Sequence, residues 1–187
     1  MTFTAIQTPA DLAQCAELEA TVLASLAKRN AGPNYTKLEA ERRYFIGYRC
    51  EFAVRDWLAT MPWLESKYQI NPNGQSQPSE FLVRFGGKWN RLEVKGRGKP
   101  EHPGAWIKQS QKHDWAVVVI PHLVGGVDDP RCVIRGWMGI KDLPQCKVVG
   151  GSYERSWAAL RPLHRLPQLF LQLQTHDEWL ASYGEVA

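Results

Sequence analysis

The sequence has no C-x-x-C pair and no Cys/His cluster: its four cysteines, Cys15, Cys50, Cys132 and Cys146, stand far apart. That spacing argues against a structural zinc site, so reduced and mostly buried thiols are expected. No apolar run approaches the roughly 18 residues that span a bilayer, so no membrane segment is expected. The N-terminus MTFTAIQTPADLAQ lacks the basic region and apolar run of a secretory signal, so a cytoplasmic chain is expected. Also missing are a phosphate-binding Walker loop, a G-x-S-x-G elbow and a Cys/His nucleophile pattern. There are no internal repeats and no low-complexity tract, and the five histidines (His102, His113, His122, His164, His176) lack metal-ligand spacing.

What is present is ordinary globular material with a basic lean. Of 187 residues, 44% are apolar and 22% charged, which excludes a disordered chain and suits one well-buried core. The net charge of +4 permits an anionic partner without requiring one. Eight tryptophans are many for this length; core packing is expected of Trp89 and Trp106, although both border a basic stretch where they could stack on bases.

Thr8-Pro9 opens a helix whose Leu12, Cys15, Leu18, Val22 and Leu26 recur at helical spacing, and Lys28-Arg29 suit its end. A second helix follows Thr36 and stops before Pro62; Phe45, Tyr48, Phe52, Trp57 and Leu58 form its apolar face, with Arg42, Arg43, Arg49 and Arg55 largely elsewhere. EFLVRF-GGK-WNRLEVKG reads as a β-hairpin around a Gly-Gly turn. AWIKQSQKHD is expected to be a short helix, WAVVVIPHL a central strand buried on both faces, and RCVIRGWMGI a further strand. The tail contributes a loop and a last helix. The expected fold is α/β: a mixed sheet flanked by helices, one domain over residues 1–187, with helices 8–30 and 165–183 extending the core.

The hairpin raises a chemical question. Alternation puts Leu92 and Val94 on one face and Arg91, Glu93 and Lys95 on the other. Taken alone, that pattern suits a half-exposed hairpin with an ion pair. Glu80 stands just before the first hairpin strand, however, and Glu51 lies on the second helix four residues after Gly47, a small residue that would let the helix approach a sheet. Three acids and a lysine at one end of a sheet are the ingredients of a magnesium site, because Mg²⁺ takes one or two carboxylates and fills its octahedron with water and phosphate. Between Arg84 and Lys112 the bases Arg84, Lys88, Arg91, Lys95, Arg97, Lys99, Lys108 and Lys112 face only Glu93 and Glu101, a composition suited to phosphate contacts.

In order and spacing, these motifs resemble the PD-(D/E)XK nuclease superfamily, the restriction-endonuclease-like fold. The similar elements are IGYRCEFAVRDWL, SEFLVRF, RLEVKGRG, KHDWAVVVI and RCVIRGWMGIKDL, over roughly residues 40 to 145. The resemblance implies a metal-dependent endonuclease that hydrolyses phosphodiester bonds in DNA with Mg²⁺ or Mn²⁺. Glu80 and Glu93 would be the metal-binding acids, Lys95 the catalytic lysine and Glu51 the supporting helical acid. Glu80 stands where aspartate is usual; it is one methylene longer and still able to reach a metal. Gln109, Gln111 or Lys112 would match the polar residue many members aim at the site, with Arg91, Arg97, Lys99 and Lys108 also bearing on nucleic acid. A homodimer is one way such proteins cut both strands. The alternative is a catalytically inactive module on the same fold that binds nucleic acid or a protein.

Overall fold

The computed structural model describes residues 2–28, 42–69, 81–85, 87–98, 104–109 and 116–172. The chain begins with a short strand, β1 (Phe3–Ile6), which the sequence pattern did not announce. Helix α1 (Pro9–Lys28) follows, with proline at its first position and a reciprocal cap ahead of it. Thr8 Oγ1 accepts from the Asp11 N–H at 3.1 Å, and Asp11 Oδ2 accepts from the Thr8 N–H at 3.0 Å.

Helix α2 (Arg43–Ala59) has no side-chain cap of its own, because Arg42 takes a left-handed conformation at φ 48°. Glu19 of α1 replaces it, accepting from the Phe45 N–H at 3.2 Å and pairing with Arg42 at 2.6 Å. One face of α2 (Phe45, Tyr48, Phe52) packs on Cys15 and Val22 of α1. The other (Cys50, Ala53, Val54, Trp57, Leu58) packs on the main sheet.

The strands are β2 (Ser66–Tyr68), β3 (Phe81–Phe85), β4 (Lys88–Val94), β5 (Gly104–Lys108), β6 (Val117–Leu123), β7 (Arg131–Gly139), β8 (Lys147–Val149), β9 (Ser152–Ser156) and β10 (Arg161–Pro162). Together with β1, five of them form one mixed, curled sheet in the order β1-β7-β6-β4-β3-β2, and β10 adds to β7. The β3–β4 hairpin is antiparallel as expected, with Phe81 opposite Leu92 and Gly87 at φ 64° in the turn. β4 and β6 run parallel, pairing Glu93 with Val118. A parallel pair needs a crossover, and here it carries β5.

That crossover overturns one expectation. Residues 104–108 are a strand rather than the start of a helix, and β5-β9-β8 make a separate antiparallel sheet. Alternation explains the difference: Ala105 and Ile107 bury against Val118, Ile120 and Met138, while Trp106 and Lys108 face out. The tail differs in the same way, since β9 and β10 lie where a loop was expected. Residues 165–172 form a helix, α3, whose Leu166 and Phe170 join the main core; the rest of the helix expected to 183 lies outside the described residues.

The layers are therefore α1, α2, the main sheet and the small sheet. β6 is buried along its whole length, as its unbroken apolar run implied. Its Pro121 lacks an N–H, and there the register with β7 shifts: Ile120 faces Gly136 and Pro121 faces Ile134, leaving Arg135 as the extra, bulged residue. Among the described residues, no helix is long and apolar enough to cross a membrane.

Two further expectations are corrected by packing. Arg49 is wholly buried rather than set apart from the apolar face. It donates to Gln7 Oε1 at 2.6 Å, to the carbonyls of Gly126 (3.4 Å) and Val127 (2.9 Å), and to Asp129 O, tying α2 to β1 and to the turn before β7. Trp89 and Trp106 are 39% and 47% exposed, so neither is a core residue. The thiols follow expectation: all four are free, and Cys15, Cys50 and Cys132 are buried.

Candidate active site

β4 brings Glu93 and Lys95 to the face of the main sheet away from α2, while Leu92 and Val94 point into the α2 core. Lys95 Nζ donates to Glu93 Oε1 in a short ion pair along the strand. The two side chains are 22% and 11% exposed, so the pair is not a loose surface contact. Ion pairs largely withdrawn from water contribute little net stability, because desolvation offsets the attraction.

Glu51 approaches from α2. Its Oε2 accepts from the Tyr68 hydroxyl at 2.8 Å, and Arg55, one helical turn further on, pairs with Asp11 and Asp56. The close contact between helix and strand comes from the strand side. A Cβ on Gly47 would meet nothing within 4 Å, whereas one on Gly96 would lie 2.7 Å from Cys50 Sγ. Gly96, not Gly47, lets α2 settle against the end of β4.

Burial pushes the Glu51 carboxyl up to about 7; the Tyr68 hydrogen bond opposes that rise, Glu93 adds to it and Lys95 moderates it. Glu51 therefore sits within electrostatic reach of both members of the β4 pair. Tyr68 was not singled out in the sequence. Its ring is stacked on Phe81 at 4.8 Å and meets Phe52 edge-on at 6.0 Å, which fixes its hydroxyl on Glu51.

The other expected residues divide. Arg97 follows the site on the same face, its Nε donating to Gly104 O at 2.7 Å. Arg91 is on β4 and half-buried. Lys108 points from the outer face of the small sheet, and Gln109 lies in the turn after it, its N–H on Gly151 O at 3.0 Å; neither lies on a helix or beside Glu93. Glu80, Lys99, Gln111 and Lys112 lie outside the described residues, as do His102 and His113.

Among the described residues, no group of three or more His, Cys, Asp or Glu side chains could hold a metal ion. What they offer is the Glu93 carboxylate paired with Lys95, and the Glu51 carboxyl within electrostatic reach of both. All-oxygen donors in that number suit Mg²⁺, which takes its remaining ligands from water and substrate, and do not suit zinc. No family model, curated protein or solved structure matches the chain.

Proposed function

We propose that the protein is a Mg²⁺-dependent nuclease that hydrolyses phosphodiester bonds in DNA, on a core like that of the restriction endonucleases. The observation that carries this reading is the Glu93–Lys95 ion pair, withdrawn from water at the end of β4, with Glu51 within electrostatic reach of both. An acid and a base withdrawn from water, with a second carboxyl within electrostatic reach, add little to stability and are what phosphate chemistry requires. Glu93 would hold the metal, with Glu80 as the other ligand that the resemblance implies. Bound there, Mg²⁺ supplies Lewis-acid stabilisation of charge on the phosphate oxygens. Lys95 orients the attacking water. Glu51, pinned by Tyr68, would act on the two charged groups through its own charge.

A second reading has one observation in its favour: the described residues offer two carboxylates near the site, and burial raises one of them, Glu51, to about 7. On that reading the fold binds nucleic acid or a protein without cutting. The test is cleavage of supercoiled plasmid and single-stranded DNA with Mg²⁺ or Mn²⁺, wild type beside Lys95→Ala. Metal-dependent cutting by wild type alone supports the nuclease. Equal binding with no cutting by either protein supports the binding module.

A further inference from the structure

Arg97 and Arg135 meet at one residue of the central strand. Arg97 pairs with His122 in parallel register, its N–H on Pro121 O and its carbonyl accepting from the Leu123 N–H, both at 2.9 Å. From the other side, Arg135 Nε donates to His122 Nε2 at 2.8 Å. The β7 bulge opposite Pro121 makes this possible, because the extra residue is Arg135 itself and its side chain is turned onto the His122 face.

The donors fix the state of the imidazole. An arginine Nε can only donate, so His122 Nε2 accepts; Nδ1, 2.9 Å from Leu123 O, therefore carries the proton. His122 is neutral and acts as a brace. Trp157 packs on it at 5.5 Å and lies 5.5 Å from the Arg135 guanidinium.

Two arginines thus meet one buried, neutral histidine, Arg135 through its guanidinium and Arg97 through its main chain. Among the described residues, neither hydrogen-bonds to a carboxylate. Glu154 acts on Arg97 only through its charge, and Arg97 Nη2 is buried without a hydrogen-bond partner. Buried donors are rarely left so, and an unmet one calls for a ligand or another cause. Arg135 is exposed, and among the described residues only its Nε is hydrogen-bonded, which leaves its outer nitrogens to bind.

We propose that Arg97 and Arg135, braced by His122 and Trp157, form a binding site for a phosphate group. Two planar forks suit an anion with several acceptor oxygens better than a carboxylate, and guanidinium gives up its hydration readily. The phosphate is either a diester in a nucleic-acid backbone or a free phosphate. The site needs no metal and does not depend on hydrolysis at Glu93, so binding without cutting would sink the nuclease reading and leave this one standing.

The test is metal-free binding of a labelled single-stranded oligonucleotide across a salt series, with inorganic phosphate as the second arm at constant ionic strength. Wild type is compared with Arg135→Gln, Arg135→Lys and the control Arg131→Gln, an exposed cation paired with Asp129. For a backbone phosphate, Arg135→Gln lowers the salt slope by about 0.7 and the control leaves it unchanged. Arg135→Lys, with charge but no fork, falls between them. For a free phosphate, inorganic phosphate raises the melting temperature of wild type and not of Arg135→Gln. If wild type and both Arg135 variants behave alike in both arms, the proposal is overturned.

Discussion

Replacing Gly96 by alanine tests whether close packing of α2 on β4 builds the site. The new Cβ would lie 2.7 Å from Cys50 Sγ and 2.8 Å from Cys50 Cβ, and Cys50 is fully buried, so no solvent-exposed rotamer relieves the contact. Ordinary contact begins near 3.4 Å. Helix and strand must separate by several tenths of an ångström, and Glu51, the next residue on the helix, moves with Cys50. Overpacking of this kind costs about 2 kcal/mol, or about 6 °C in melting temperature for a chain of this size. Differential scanning calorimetry of Gly96→Ala, Cys50→Ala and the double variant reads the coupling. Cys50→Ala removes Sγ and not Cβ, so the double variant should recover part of the loss. If cutting is present in wild type, Gly96→Ala should reduce it by more than the lost stability accounts for. A Gly96→Ala protein that melts with wild type, or strictly additive losses in the double variant, would refute the argument.

Other perturbations read other parts of the structure. Arg49→Met fills similar volume but leaves the Gln7 side chain and the carbonyls of Val127 and Asp129 without their donor, so urea denaturation should show a loss of about 3 to 5 kcal/mol; a loss below about 1 kcal/mol would contradict that role. Glu51 has a carboxyl raised from 4.5 to about 7. Between those values the folded chain keeps a proton that the unfolded chain has lost, so stability falls as pH rises through the window. Glu51→Gln should remove that slope and, in EDTA at pH 8, stabilise the protein by at most about 3 kcal/mol; parallel pH profiles for both proteins would contradict it. Glu93→Gln should abolish metal-dependent cutting while circular dichroism stays native, whereas a variant that cuts as wild type does would remove Glu93 from the chemistry.

Local rules made much of the chain legible in advance. Apolar spacing marks α1 and α2, unbroken Val-Val-Val-Ile marks β6 as central, and alternation around a Gly-Gly turn marks the β3–β4 hairpin and assigns Glu93 and Lys95 to one face. These features repeat with the period of the backbone, so neighbours in sequence suffice to reveal them. Short edge strands carry no such signal. β1, β2 and β10 span four, three and two residues, and pairing with distant strands is what makes them strands. Residues 104–108 looked helical because their inward side chains, Ala105 and Ile107, find their partners on β6 and β7. The Glu93–Lys95 pair was visible in the sequence, whereas Tyr68 on Glu51, Gly96 under Cys50, and Arg135 on His122 were not. Each of those contacts joins residues far apart in the chain. Which side chains meet there is set by the curl of the sheet, the seat of α2 and a proline-induced bulge, all of which exist only once the layers have packed.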